Sequence, residues 1–198
     1  ELNKNAKQII DNQQENLTAE QKRFIELTVN EFKDNGADLP KDKQKEIEDI
    51  DVELSKICKK FQENVKDSMK EFVFYITNEE DLKGLPSSAV QKAKEDATEK
   101  GHSDKWLFTL LGHYATNLPV VMFLDNEKLR KEQYDIFFKV GHYGKYDNTE
   151  NIKKITTLRD RKAKILGYKT FADFVLLRDM VQNGSKALKF VEDLHDKV

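Results

Sequence analysis

Seven apolar residues, Ile47, Ile50, Leu54, Ile57, Phe61, Val65 and Met69, recur at spacings of three and four through a stretch otherwise crowded with charge. That period lays them along one face of a helix. The pattern runs from about Lys41 to Met69, a span on the order of 40 Å at 1.5 Å per residue. Burying each large apolar side chain is worth about 1.5–3 kcal/mol. A lone helix hides none of them, so a partner helix must cover the stripe. The simplest partner precedes it. Thr18 followed by Gln21 is a capping-box pattern, Phe24, Ile25, Thr28, Val29 and Phe32 share one face, and Asn35-Gly36 stops the run. After the turn Gly36-Ala37-Asp38-Leu39-Pro40, Pro40 opens the second helix, where its missing N–H costs nothing. Residues 17–70 are therefore expected to form a long antiparallel helical hairpin.

The periodicity then changes. Phe72-Val73-Phe74-Tyr75-Ile76 and the run from Trp106 to Leu111 are short, aromatic and β-branched, as strands are. Between them lies a polar helix from Ser87 to Glu99, introduced by Leu85-Pro86 and closed by Lys100-Gly101. Residues 72–111 thus read as strand–helix–strand, and both a parallel crossover and a small mixed sheet fit. Residues 117–198 read as helical again. Asn117-Leu118-Pro119 opens a short apolar stretch, and Asn126 caps a helix carrying Leu129, Tyr134, Phe137 and Phe138. A loop from Gly141 to Asn148 leads to a helix with Ile152, Ile155, Leu158, Ala163, Ile165 and Leu166. Thr170 and Asp173 repeat the capping logic for Phe171 to Val181, and a last helix carries Leu188, Val191 and Leu194. The fold class is mainly α, with residues 1–198 a single mostly helical region holding a small two-stranded β element. No fixed repeat or low-complexity linker divides it.

Charge excludes several classes of partner. Lysine and arginine total 34 against 36 aspartates and glutamates, a net charge of −2, so nothing favours nucleic acid, which needs clustered basic excess. The single cysteine, Cys58, rules out an internal disulfide. No apolar run approaches the roughly 20 residues of a membrane helix, and the polar start from Glu1 to Gln14 is unlike a signal peptide. The sequons at Asn16 and Asn183 are tripeptide matches only. A soluble, cytoplasmic protein without a membrane partner is the expectation.

The chemical motifs are mostly absent. The sequence contains no H-E-x-x-H, no phosphate loop, no G-x-G-x-x-G and no G-x-S-x-G. His102 and Asp104, with His113 nearby, offer metal ligands in principle. The simpler reading is a loop histidine beside a solvated aspartate, because structural zinc takes four closely spaced ligands. Cys58 reads as a packing cysteine, and the acidic groups Glu79-Glu80-Asp81 and Glu46, Glu48 and Asp49 as solvated helix ends and faces. No catalytic or metal-ligating residue is assigned. The loop His142-Tyr143-Gly144-Lys145-Tyr146 combines glycines, two phenols and a cation. His142, Tyr143 and Tyr146 are accordingly the candidate substrate contacts, against the alternative of an ordinary surface loop over the core edge.

An ordered series of stretches carries a resemblance. Leu17 to Arg23, Phe32 to Pro40, Ile50 to Lys56, Phe61 to Val65, Asp81 to Pro86 and Trp106 to Leu110 form its first part. Leu118-Pro119-Val120, Asp147-Asn148, Leu158-Arg159 and Leu166 to Ala172 continue it. Together they resemble the thimet oligopeptidase and dipeptidyl carboxypeptidase family of zinc metallopeptidases, oligopeptidase A among them. The resemblance implies a parent enzyme that hydrolyses short peptides at one zinc ion, with two largely helical lobes around a channel. It places the zinc ligands and catalytic glutamate C-terminal to the matched segment, so zinc is implied for the parent and none for this chain. The implied partners are short peptides and the remaining catalytic half, with self-association where apolar faces stay uncovered.

Three functions follow as alternatives. The chain is a non-catalytic channel-wall segment of such a peptidase, a stand-alone helical interaction module without peptidase activity, or a small enzyme with an unrecognised site. The first is the leading expectation, and the chain by itself is expected to be inactive.

Overall fold

The computed structural model describes residues 17–110 and 117–197. His113, the rest of the stretch from Leu111 to Thr116, and the start of the chain including the Asn16 sequon lie outside the described residues. In chain order the elements are α1 (Ala19–Asp34), α2 (Lys41–Glu71), β1 (Val73–Ile76), α3 (Ser87–Glu99), β2 (Trp106–Thr109), α4 (Leu118–Phe123), α5 (Glu127–Phe137), α6 (Thr149–Ile165), α7 (Phe171–Val175) and α8 (Gly184–His195). The protein is mainly α with one small sheet. It divides into two compact units, Glu1–Lys56 with Lys154–Val198, and Ile57–Lys153, and the division falls inside α2 and α6. Among the described residues no helix is long and apolar enough to cross a membrane.

In the first unit α1 begins on its capping box. The Gln21 N–H donates to Thr18 Oγ1 at 3.3 Å while the Thr18 N–H donates to Gln21 Oε1 at 2.9 Å, satisfying two donors that a helix start leaves orphaned. The helix ends where Gly36 takes a φ of +82°, a conformation open to glycine at little cost. Val29 is the buried residue of α1, and Phe24 is 71% exposed. The face expected to be apolar is thus narrower than its sequence spacing suggests. Five residues separate Phe24 from Val29, about 140° around a helix of 3.6 residues per turn.

At the start of α2, Ile47 and Ile50 are buried. The preceding turn is tied down by Gln44, whose Nε2 donates to the Ala37 and Leu39 carbonyls. A second helix also meets this part of α2. Arg161 Nε of α6 donates to Glu46 Oε1 at 2.8 Å, and Lys162 Nζ reaches both Asp51 oxygens at 2.6 and 2.8 Å. Ala163, fully buried one residue further on, adds an apolar contact surface.

The chain past α6 is shorter in helix than expected. α7 spans only Phe171–Val175, followed by a single 3-10 turn at Leu176–Arg178. Arg178 is drawn into an ion pair with Asp34, and the backbone extends at Asp179, so the helix does not continue to Val181. Asn183 then caps α8 by accepting from the Lys186 N–H at 2.9 Å.

In the second unit β1 and β2 pair antiparallel, Val73 opposite Thr109 and Ile76 opposite Trp106. The sheet is therefore neither the parallel crossover nor the mixed sheet that the sequence left open, but a purely antiparallel pair. The core gathers Phe74, Ile76, Leu82, Ala93, Phe108, Val120 and Leu124. Alanines 89, 93 and 97 form the buried face of α3, and their small size lets that helix lie close to its surroundings. Arg130 of α5 closes the end of α4 by donating to the carbonyls of Leu124 and Asp125.

Candidate functional site

The loop between α5 and α6 is built on two polar residues inside α2. Ser68 is fully buried and Asn64 nearly so. Ser68 Oγ accepts from the Gly141 N–H at 3.1 Å, and Asn64 Nδ2 donates to Asn148 Oδ1 at 3.0 Å. Asn148, 1% exposed, also accepts from Asn151 at 2.7 Å and donates to the Phe61 carbonyl at 3.3 Å. The loop closes on itself where the Asn148 N–H donates to the Gly141 carbonyl at 3.0 Å. Gly141 has a φ of +68°, and a Cβ there would sit 2.9 Å from Val65 Cγ2. Glycine is required by both conformation and space. Both feet of the loop are therefore fixed by buried, satisfied hydrogen bonds.

The three candidate contacts separate into two roles. Tyr146 is half-buried, donates its hydroxyl to Glu71 Oε2 at 2.6 Å, and sets its ring edge-on against Phe72. Lys145 Nζ reaches the same Glu71 oxygen at 2.8 Å. The lysine first and the phenol second hold the Glu71 carboxyl below its ordinary value, and that hydrogen bond raises the Tyr146 phenol. Tyr146 is thus a strut of the loop. His142 and Tyr143 are exposed, with the Lys139 ammonium 5.8 Å from the Tyr143 ring centre. These two are the groups that the loop presents outward.

Asn64, Ser68 and Glu71 were missed in the sequence, though a signal for the first two exists. From Ile47 the spacing alternates three and four through Ile50, Leu54, Ile57 and Phe61, and the same alternation lands on Asn64 and Ser68. Following apolar character to Val65 and Met69 leaves that line.

Among the described residues no group of three or more histidines, cysteines or carboxylates converges as a metal site, so the zinc implied for the family has no fitting donor set among them. His102 packs against the Tyr75 ring at 5.3 Å. Asp81 accepts from Asn126 at 2.9 Å, Glu80 pairs with Lys83, and Glu46 with Lys43 and Arg161. Cys58 is a half-buried free thiol.

Comparison with known proteins adds a lineage to this geometry. Residues 120–198 match the profile of peptidase family M3. The probable cytosolic oligopeptidase A of Arabidopsis thaliana is 35% identical over 170 residues, 83% of this chain and 24% of that protein. Oligopeptidase A of Haemophilus influenzae is 33% identical over 182 residues, 89% of this chain and 26% of its own. Saccharolysin of Saccharomyces cerevisiae is 24% identical over 177 residues, 89% of this chain and 24% of its length. The chain spans about a quarter of the length of the curated relatives that it matches.

Proposed function

Proceeding from its membership of the oligopeptidase lineage of peptidase family M3 over the segment that it covers, we propose that the chain is a non-catalytic helical part of such a peptidase. In this reading it shapes the channel by which short peptides reach a zinc centre built from other residues of the same protein. The observation that carries the proposal is similarity along 83–94% of the chain to peptidases, combined with described residues that offer no metal-binding cluster. His142 and Tyr143 are the peptide contacts, with Tyr146 and Glu71 holding the loop that bears them. Tyrosine suits this role because it combines apolar area with a hydrogen-bonding end.

The test is made on the purified chain. Zinc content by mass spectrometry should be far below one equivalent, and a quenched fluorescent peptide should remain uncut. Hydrolysis abolished by a chelator and restored by zinc would overturn the proposal. For the loop, a short peptide added to isotopically labelled chain should shift the Gly141 to Asn148 amides, and His142→Ala with Tyr143→Ala should remove the shift.

A further inference from the structure

The first unit holds a cleft of about 430 Å³ between the second half of α1 and the chain that follows α6. That volume falls in the range of small-molecule sites, about 300–1,000 Å³. Its walls are braced by ion pairs that use up much of the local charge: Arg178 with Asp34, and Arg23 with Glu26. Two lining charges, Lys33 and Asp179, have no ion-pair partner among the described residues. They are of opposite sign. Leu27 and Leu177 supply apolar lining, and Asn30 and Tyr168 add polar groups. The Tyr168 phenol, which partial burial raises further above neutrality, offers a hydroxyl that donates at neutral pH. The rim is completed by Gln182, whose φ of +65° is the one positive value among the described residues that are not glycine. A glutamine is strained in that conformation, and such residues gather at ligand sites.

We propose that this cleft binds a small zwitterion of free-dipeptide size, its carboxylate on Lys33 and its ammonium on Asp179, with an apolar side chain over Leu27 and Leu177. Opposite unpaired charges lining one cavity select a ligand carrying both charges over a simple anion or cation. The apolar lining selects an aliphatic or aromatic side chain over a polar one. Each contact is exposed and separately weak, so the dissociation constant is on the order of 1 mM. The site does not depend on the channel role proposed above, since no residue of the loop from Gly141 to Asn148 contributes to it.

The experiment is a titration of labelled chain with L-leucyl-L-leucine, its N-acetyl form and its C-terminal amide. Amide shifts at residues 27–34 and 177–182 should saturate with the free dipeptide, and blocking either end should weaken binding about fivefold, the loss of one exposed pair. Lys33→Met should weaken the free dipeptide and leave the amide unaffected. Asp179→Asn should do the same with respect to the N-acetyl form. Both residues are exposed, so both variants fold. No shift up to about 10 mM, ten times the expected constant, overturns the proposal, as do shifts indifferent to both blocking groups and both substitutions. Shifts confined to the loop from Gly141 to Asn148 would also overturn it while leaving the channel reading standing.

Discussion

Asn148 joins more of the second unit than any apolar residue of its size could. Its carboxamide oxygen accepts from Asn64 and Asn151, and its nitrogen donates to the Phe61 carbonyl. An apolar replacement leaves the Asn64 amide without a partner in a place that water does not reach. An unsatisfied buried group costs about 1–3 kcal/mol, so Asn148→Ala should lower stability by about 2–4 kcal/mol in urea unfolding. Adding Asn64→Ala should cost little more, because the partner that suffered is then gone as well. A strictly additive double variant would mean that the two amides act independently. The sequence shows part of this. Ile47 and Ile50 are legible as core from their period, and both are buried. Asn64 and Ser68 continue the same period in polar form, and polarity hides a residue from any search for apolar stripes. Gln133 is a harder case. It is fully buried, donates to Asn117 at 2.5 Å, and has no partner for its own Oε1 among the described residues, and nothing in its neighbourhood of sequence marks it as interior.

Element boundaries follow the same division between local and distant causes. The caps at Thr18, Asn126 and Thr170 are local chemistry, and each forms as its residues suggest. The direction of β2 relative to β1 depends on how residues 77–105 travel, which no short pattern encodes. The early end of α7 depends on Asp34, 144 positions before Arg178. The start of α8 joins the two kinds of cause. The Asp173 N–H donates to the Thr170 cap of α7 at 3.1 Å, and Asp173 Oδ1 accepts from the Gly184 N–H at 2.9 Å. That backbone hydrogen bond first, and the Thr170 hydroxyl second, hold the Asp173 carboxyl below its ordinary 3.8. A lowered carboxyl contributes stability that is present above the unfolded value and lost as pH falls through the folded one. The tie between α7 and α8 should therefore persist at neutral pH and fail only below about pH 3.8. The Gly184 amide proton shift should titrate with a midpoint under that value, and Asp173→Asn should flatten the curve. A midpoint at or above 3.8 would show that the hydrogen bond is not formed in solution.

At the scale of the whole molecule, apolar surface is unevenly spent. Phe108, Leu107 and Ile76 are sealed in the second unit. By contrast Met122, Phe138, Leu188, Phe190, Val191 and Leu194 are each more than half exposed, and all lie within the residues that match the family profile. The ordered resemblance along the sequence reaches the lineage because it samples the chain at many points from Leu17 to Ala172. It says nothing of which faces remain open, since exposure is a property of the assembled surface and a leucine reads alike inside or out. α8 makes the point, with an apolar stripe as regular as that of α2 and no buried residue. The stripe's regularity therefore measures what the helix is able to cover, and the fold as described does not draw on it. Phe108→Ala should cost about 3–5 kcal/mol, as removal of a sealed aromatic does. Val191→Gln and Met122→Gln should each leave stability within about 0.5 kcal/mol, the range for surface positions. Chemical unfolding followed by circular dichroism reads both quantities. A loss above about 2 kcal/mol for Val191→Gln, the size of a buried large apolar side chain, would show that α8 is covered in solution.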